Sequence, residues 1–208
     1  MSAPNANRPT LSPRQNDNTS SPLCPIHKNS TVITIHDDLY GLRNVSYFVV
    51  GDEWAIIDGD VVYGREKDLL AHQVNHNDTR LGYKKARAFS LPNTWPEAKI
   101  RYKYSSDAVQ SQLSPYVDEA IRRWVMGAPY LTFSQILPNS DSAMNGVITI
   151  SAADCDGCHA NIGYANAGLR MNLQQHCPSK PGHCGSSEAT HEFGHVLGKK
   201  VSNCNISS

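Results

Sequence analysis

Two histidines and a glutamate near one end of this 208-residue chain carry its clearest chemistry: residues 190–198 read T-H-E-F-G-H-V-L-G. His191 and His195 stand four apart, so on a helix their imidazoles share one face and can grip one metal ion. Imidazole nitrogens suit Zn2+ at about 2.0–2.1 Å. Glu192 adjoins the first ligand. It can take a proton from water that a bound zinc ion acidifies, as that water attacks a peptide carbonyl. This is the H-E-x-x-H arrangement of zinc peptidases. The bland alternative is an amphipathic helix carrying two ordinary histidines. Apolar Phe193, Val196 and Leu197, the small Gly194 and a stop at Gly198 favour the metal. The expected set is thus one Zn2+ on His191 and His195, with Glu192 as the catalytic base.

A helix must carry these residues, and Gly185-Ser186-Ser187 can start it, with Gly198 ending it. Upstream, KIRYKY (99–104), residues 131–137, residues 147–151 and GLRMNL (168–173) read as strands. Ser114 as N-cap and Pro115 at the first position predict another helix, with Val117, Ala120, Ile121, Trp124 and Val125 on one face. Residues 31–63 alternate VITI, YFVV, WAII and VVY with turn signals, as half-buried strands do. Asp58-Gly59 reads as a tight hairpin, and residues 64–76 as one helix. The fold class is α+β, with a small β-rich front unit. The division is 1–22 as a disordered polar lead, 23–79 as the front unit, 80–90 as a basic linker and 91–208 as the second domain. Lys84, Lys85 and Arg87 in the linker would suit a trypsin-like processing protease, or form a solvated basic loop.

Lys plus Arg total 19 and Asp plus Glu total 19, so no whole-chain basic surface invites nucleic acid. No apolar run approaches the roughly 20 residues of a membrane span. Six cysteines (Cys24, Cys155, Cys158, Cys177, Cys184, Cys204) and five N-x-S/T sequons suggest disulfides and a secreted location, although no signal peptide is visible. Two disulfides joining Cys155 and Cys158 to Cys177 and Cys184 are preferred, with the connectivity open. Two other uses of these cysteines stand beside that one. Cys155-Asp156-Gly157-Cys158-His159 matches c-type haem attachment, with Met171 as a sixth ligand. The four clustered cysteines could instead hold a structural zinc.

The sequence resembles the astacin family of metzincin zinc peptidases. ATHEFGHVLG fits the start of H-E-x-x-H-x-x-G-x-x-H, Trp95-Pro96 precedes IRYKY, the helix runs through EAIRRW, and CHANIG (158–163) matches a C-x-x-x-x-G segment. The resemblance covers residues 91–198. It implies a zincin-like catalytic subdomain, a mixed sheet with two helices, cutting a peptide or protein substrate that lies along an edge strand. GLRMNL is the candidate for that edge. It also makes the front unit a prosegment, in which an F-x-G-D aspartate binds the zinc. Here Ile57-Asp58-Gly59-Asp60 approximates the pattern, which makes Asp60 a latency ligand; a plain turn is the other reading, and Phe48 to Asp52 is a poorer match.

The departures from the family bear on the metal. Its third histidine would fall at Val201 and its following glutamate at Ser202, and the Met-turn and metal-facing tyrosine have no counterpart before Ser208. Two protein ligands where catalytic sites use three imply weak zinc affinity and little or no turnover. A pseudo-peptidase that binds peptides without cutting them is the alternative. The tail after Gly198 fits a retained intron, because Gly-Lys can be encoded GGT-AAG; a truncated splice form is the competing explanation.

Overall fold

The β-branched runs of the front segment form four strands in the computed structural model, which describes residues 30–37, 41–51, 53–74, 94–137, 145–179 and 182–199. These strands are β1 (Thr31–Asp37), β2 (Gly41–Val50), β3 (Trp54–Ile57) and β4 (Val61–Arg65), each antiparallel to the next. Alternate residues Val45, Tyr47, Ala55, Ile57 and Val61 bury one face together with Ile33, Ile35 and Leu69. Leu69 comes from α1 (Glu66–Ala71), which is shorter than the helix expected over 64–76. Beyond it Gln73 bridges to Ile35, and the Val74 N–H donates to the Thr34 carbonyl. Sheet pairing therefore takes the backbone that would have extended the helix.

In the second segment the strands are β5 (Lys99–Tyr104), β6 (Thr132–Gln135), β7 (Val147–Ser151), β8 (Cys158–Asn161) and β9 (Gly168–Leu173), and the helices are α2 (Asp107–Gly127) and α3 (Ser186–Val196). The helix expected to begin at Ser114 begins earlier. Ser106 is its N-cap and accepts from the Val109 N–H at 3.2 Å, and Pro115 lies inside the helix. An interior proline costs about 3 kcal/mol. Leu113 and Val117, both fully buried, offset this with about 1.5–3 kcal/mol each. Val125, placed on the apolar face by periodicity, is exposed. Pro115→Ala is expected to stabilise the protein by about 1–3 kcal/mol. A higher urea midpoint at unchanged slope is the measurement.

The nine strands among the described residues join one mixed sheet in the order β1-β2-β3-β4-β8-β9-β7-β5-β6. Pairing is parallel for β4 with β8 and from β9 through β7 and β5 to β6, and antiparallel for β8 with β9. The described residues thus form a mixed α/β structure with three α-helices. The front strands extend the sheet of the second segment instead of forming a separate layer. GLRMNL, expected at an edge, is β9 and is paired on both sides; within residues 94–199 the edge strands are β8 and β6, and β4 covers β8. The reason is local: the CHANIG run folds back antiparallel on GLRMNL and takes the outer place. A core of Ile100, Tyr104, Leu113, Ile148, Ile150, Met171, Leu173 and Phe193 lies between this sheet and the two long helices.

Two disulfides, Cys155–Cys177 and Cys158–Cys184, close the loops around β8 and β9. The pairing leaves these sulfurs neither thioether bonds to haem nor thiolates for a structural zinc, so both of those expectations are withdrawn. Cys24 and Cys204 lie outside the described residues, as do the linker at 80–90, the lead and the tail beyond Lys199. No helix among the described residues is long and apolar enough to cross a membrane.

Candidate metal centre

The sequence T-H-E-F-G-H folds as α3 because one face of it is apolar. Ala189, Phe193 and Val196 are fully buried in the core. The Gly185 N–H at the helix start donates to Glu188 Oε2 at 2.9 Å, which satisfies one free donor of the first turn. At the other end Gly198 adopts φ 93, a conformation open to glycine, and the Lys199 N–H returns to the Gly194 carbonyl at 2.9 Å. Two indoles then pin the helix: Trp95 Nε1 donates to the Val196 carbonyl at 2.7 Å, and Trp124 Nε1 to the Thr190 carbonyl at 2.9 Å. The spacing of the two histidines predicts nothing about these anchors, because they come from distant segments.

The rings of His191 and His195 meet edge to face, with centroids 4.7 Å apart and planes at 87°. Asp60, in the turn between β3 and β4, meets them from 131 residues away: its Oδ2 lies 3.0 Å from His191 Nε2 and 3.4 Å from His195 Nε2. The turn is not the two-residue hairpin expected at Asp58-Gly59. Ile57 pairs with Val61, so Asp58, Gly59 and Asp60 all lie in it. Asp58 and Gly59 both have positive φ, 54 and 96. The Asp60 carbonyl accepts from the Ala160 N–H of β8 at 3.1 Å, which seats the turn against that strand. Asn161, at the end of β8, accepts from the Arg170 N–H at 2.7 Å. Asp52, the alternative aspartate, lies outside the described residues.

The three side chains Asp60, His191 and His195 fit a metal ion, their ligand atoms lying within 4.8 Å of one another. Tetrahedral zinc with bonds near 2.1 Å separates its ligand atoms by about 3.4 Å, close to the 3.0 and 3.4 Å from Asp60 Oδ2 to the two imidazoles. His195 Nδ1 lies 2.9 Å from the Lys199 carbonyl. A carbonyl only accepts, so Nδ1 carries the proton and Nε2 of the neutral ring keeps its lone pair for a metal. At this site, among the described residues, three buried polar atoms have no hydrogen-bond partner: Asp60 Oδ1, His195 Nε2 and Glu192 Oε2. Buried polar atoms normally find partners, and a cation among them would supply one.

Charge follows burial at this site. Burial by itself raises the Asp60 carboxyl, but the two adjoining imidazoles, His191 and His195, more than offset it and hold the group below its usual range. Glu192 goes the other way. Burial, with the nearby charges of Asp60 and Glu188, holds its carboxyl well above the usual range. The two acids therefore have opposite tendencies: Asp60 is a ready anion, and Glu192 is disposed to hold a proton.

The class these features define is a mixed α/β protein with a candidate centre of one carboxylate and two imidazoles beside a buried glutamate. No protein-family model matches the chain, and no curated protein matches it. Among solved structures it is similar over 53% of its length to high choriolytic enzyme 1, a hatching enzyme zinc-protease from Oryzias latipes (medaka fish). The identity is 16%, 49% of that chain is covered, and the TM-score is 0.39. The chain spans about half the length of that protein.

Proposed function

We propose that this chain is a latent, astacin-like zinc metalloendopeptidase in which Asp60 occupies the metal centre that His191 and His195 build. The observation that carries the reading is the approach of one Asp60 oxygen to both imidazoles. The intact H-E-x-x-H helix supports it, as does the proton placement on His195. On this reading residues 30–74 belong to a prosegment and residues 94–199 to a zincin-like catalytic subdomain, with the basic stretch 80–90 as the processing region. Two disulfides suit an oxidising, extracellular setting.

When bound, zinc supplies Lewis acidity that polarises a peptide carbonyl and acidifies water. The rest falls to the chain. His191 and His195 hold the ion from one face of α3. The Lys199 carbonyl holds His195 in the tautomer that leaves Nε2 free. Glu192 is the base on this reading: once the negative charge of Asp60, which helps keep it protonated, has left the centre, its ionised carboxylate would take the proton of the attacking water and pass it to the leaving amine. The outer edge of β8 offers backbone groups to an extended peptide. In the latent form β4 takes that edge through Val61 and Val62, opposite Ala160 and Asn161. Removal of the front segment would open both the edge and the metal.

Val201 and Ser202, where the resembled family has its third histidine and a glutamate, favour a second reading, a pseudo-peptidase that keeps the cleft without turnover. Metal content together with cleavage of an unfolded protein substrate separates the two. Chelator-sensitive cleavage after removal of the front segment supports the enzyme, and zinc without cleavage supports the pseudo-enzyme. Asp60→Ala tests the latency ligand. It is expected to weaken Zn2+ binding by the full chain about 10–100-fold, read by competition with a chromophoric chelator. Unchanged affinity would remove Asp60 from the site.

A further inference from the structure

The turn that presents Asp60 depends on a residue from a third strand. β2 runs on past the end of β3: Tyr47 pairs with Ile57, the last residue of β3, while Arg43 lies further along, opposite Ile35 of β1. From this overhang Arg43 Nη1 donates to Asp58 Oδ2 at 2.8 Å. Both side chains are mostly shielded, 21% and 10% exposed, so solvent weakens this pair less than a surface one. The Asp58 N–H also donates to the Ser46 carbonyl of the same strand at 2.9 Å. Asp58 is held at φ 54, a left-handed conformation that a non-glycine residue keeps only when its surroundings enforce it. Gly59 alone separates it from Asp60. A change in the Asp58 backbone therefore re-aims the Asp60 carboxylate directly.

We infer that Arg43 is a positioning residue for the latch: its pairing with Asp58 sets how firmly Asp60 holds the centre formed with His191 and His195. The inference rests on the proposed role of Asp60 as a metal ligand. The route runs from Arg43 to Asp58 and through Gly59 to Asp60.

The test is a double-mutant cycle on the full chain with Co2+ as the probe, read from its visible absorption and by competition for the ion. Arg43→Ala is expected to weaken Co2+ binding about tenfold and to shift the band toward that of Asp60→Ala. Asp58→Asn, which keeps the side-chain size and removes the charge, is expected to act likewise. In the Asp60→Ala background Arg43→Ala should add less than about twofold, because the route through Asp60 is gone. Thermal unfolding of each variant confirms that the fold persists. Wild-type Co2+ binding by Arg43→Ala and Asp58→Asn, with Asp60→Ala weakened, overturns the inference and leaves the metal reading standing. An equal loss from Arg43→Ala in both backgrounds overturns it too, since Arg43 would then act on the fold at large. No change in Asp60→Ala itself overturns the latency reading beneath it.

Discussion

Replacing His195 by Ala is expected to lower the affinity of the full chain for Zn2+ more than about 100-fold, a loss of roughly 2.7 kcal/mol or more. Two features make this larger than the effect of losing Asp60. His195 is almost wholly buried, 1% exposed, so no solvent-held ligand easily takes its place. Its Nδ1 proton is committed to the Lys199 carbonyl, which directs Nε2 to the centre before any ion arrives. The Gly163 N–H also bonds to the His195 carbonyl at 2.9 Å, tying the loop after β8 to the metal helix. The side-chain change should leave that backbone link intact. Equilibrium dialysis with elemental analysis reads the affinity. Glu192→Gln, which keeps both imidazoles, is the control that should still bind the ion. Equal zinc content in wild type and His195→Ala would remove the metal centre from consideration.

Removing the Cys158–Cys184 bond, by Cys158→Ser together with Cys184→Ser, is expected to cost about 2–5 kcal/mol of stability. The bond spans 26 residues, a loop whose freedom in the unfolded chain it curtails. It also joins two places the site depends on. Cys158 opens β8, the strand that receives the Asp60 carbonyl, and Cys184 immediately precedes Gly185 at the start of α3. Urea unfolding should show a lower midpoint, and Zn2+ affinity should fall with it. Loss of stability without loss of affinity would mean that the helix and strand keep their spacing unaided.

How much of this was legible in the chain depends on the range of the interaction involved. The strands around KIRYKY, VITIS and GLRMNL could be read because alternation and β-branching are properties of neighbours, and the structure places them at β5, β7 and β9. The start of α2 misled because Ser114-Pro115 carries a strong local start signal. Burial of Leu113 and Val117, visible only after folding, carried the helix through the proline. The edge strand was misplaced for a similar reason. GLRMNL looks like any half-buried strand, and nothing in its residues says that CHANIG will pair outside it. The cysteine pairs could be seen as a group, whereas their connectivity needed coordinates.

The sequence by itself determined that two imidazoles and a carboxylate share a helical turn, because that follows from a 3.6-residue period acting over five positions. The family resemblance also put forward Asp60 as a partner, with a plain turn as an equal reading. Only the tertiary structure decided that Asp60 stands within 3.4 Å of both histidines, that Lys199 sets the tautomer of one, and that Arg43 braces the turn behind it. These meetings depend on how a nine-stranded sheet orders its strands. Pairing across more than 100 residues is selected by the summed burial of whole faces and leaves no mark at the residues that meet.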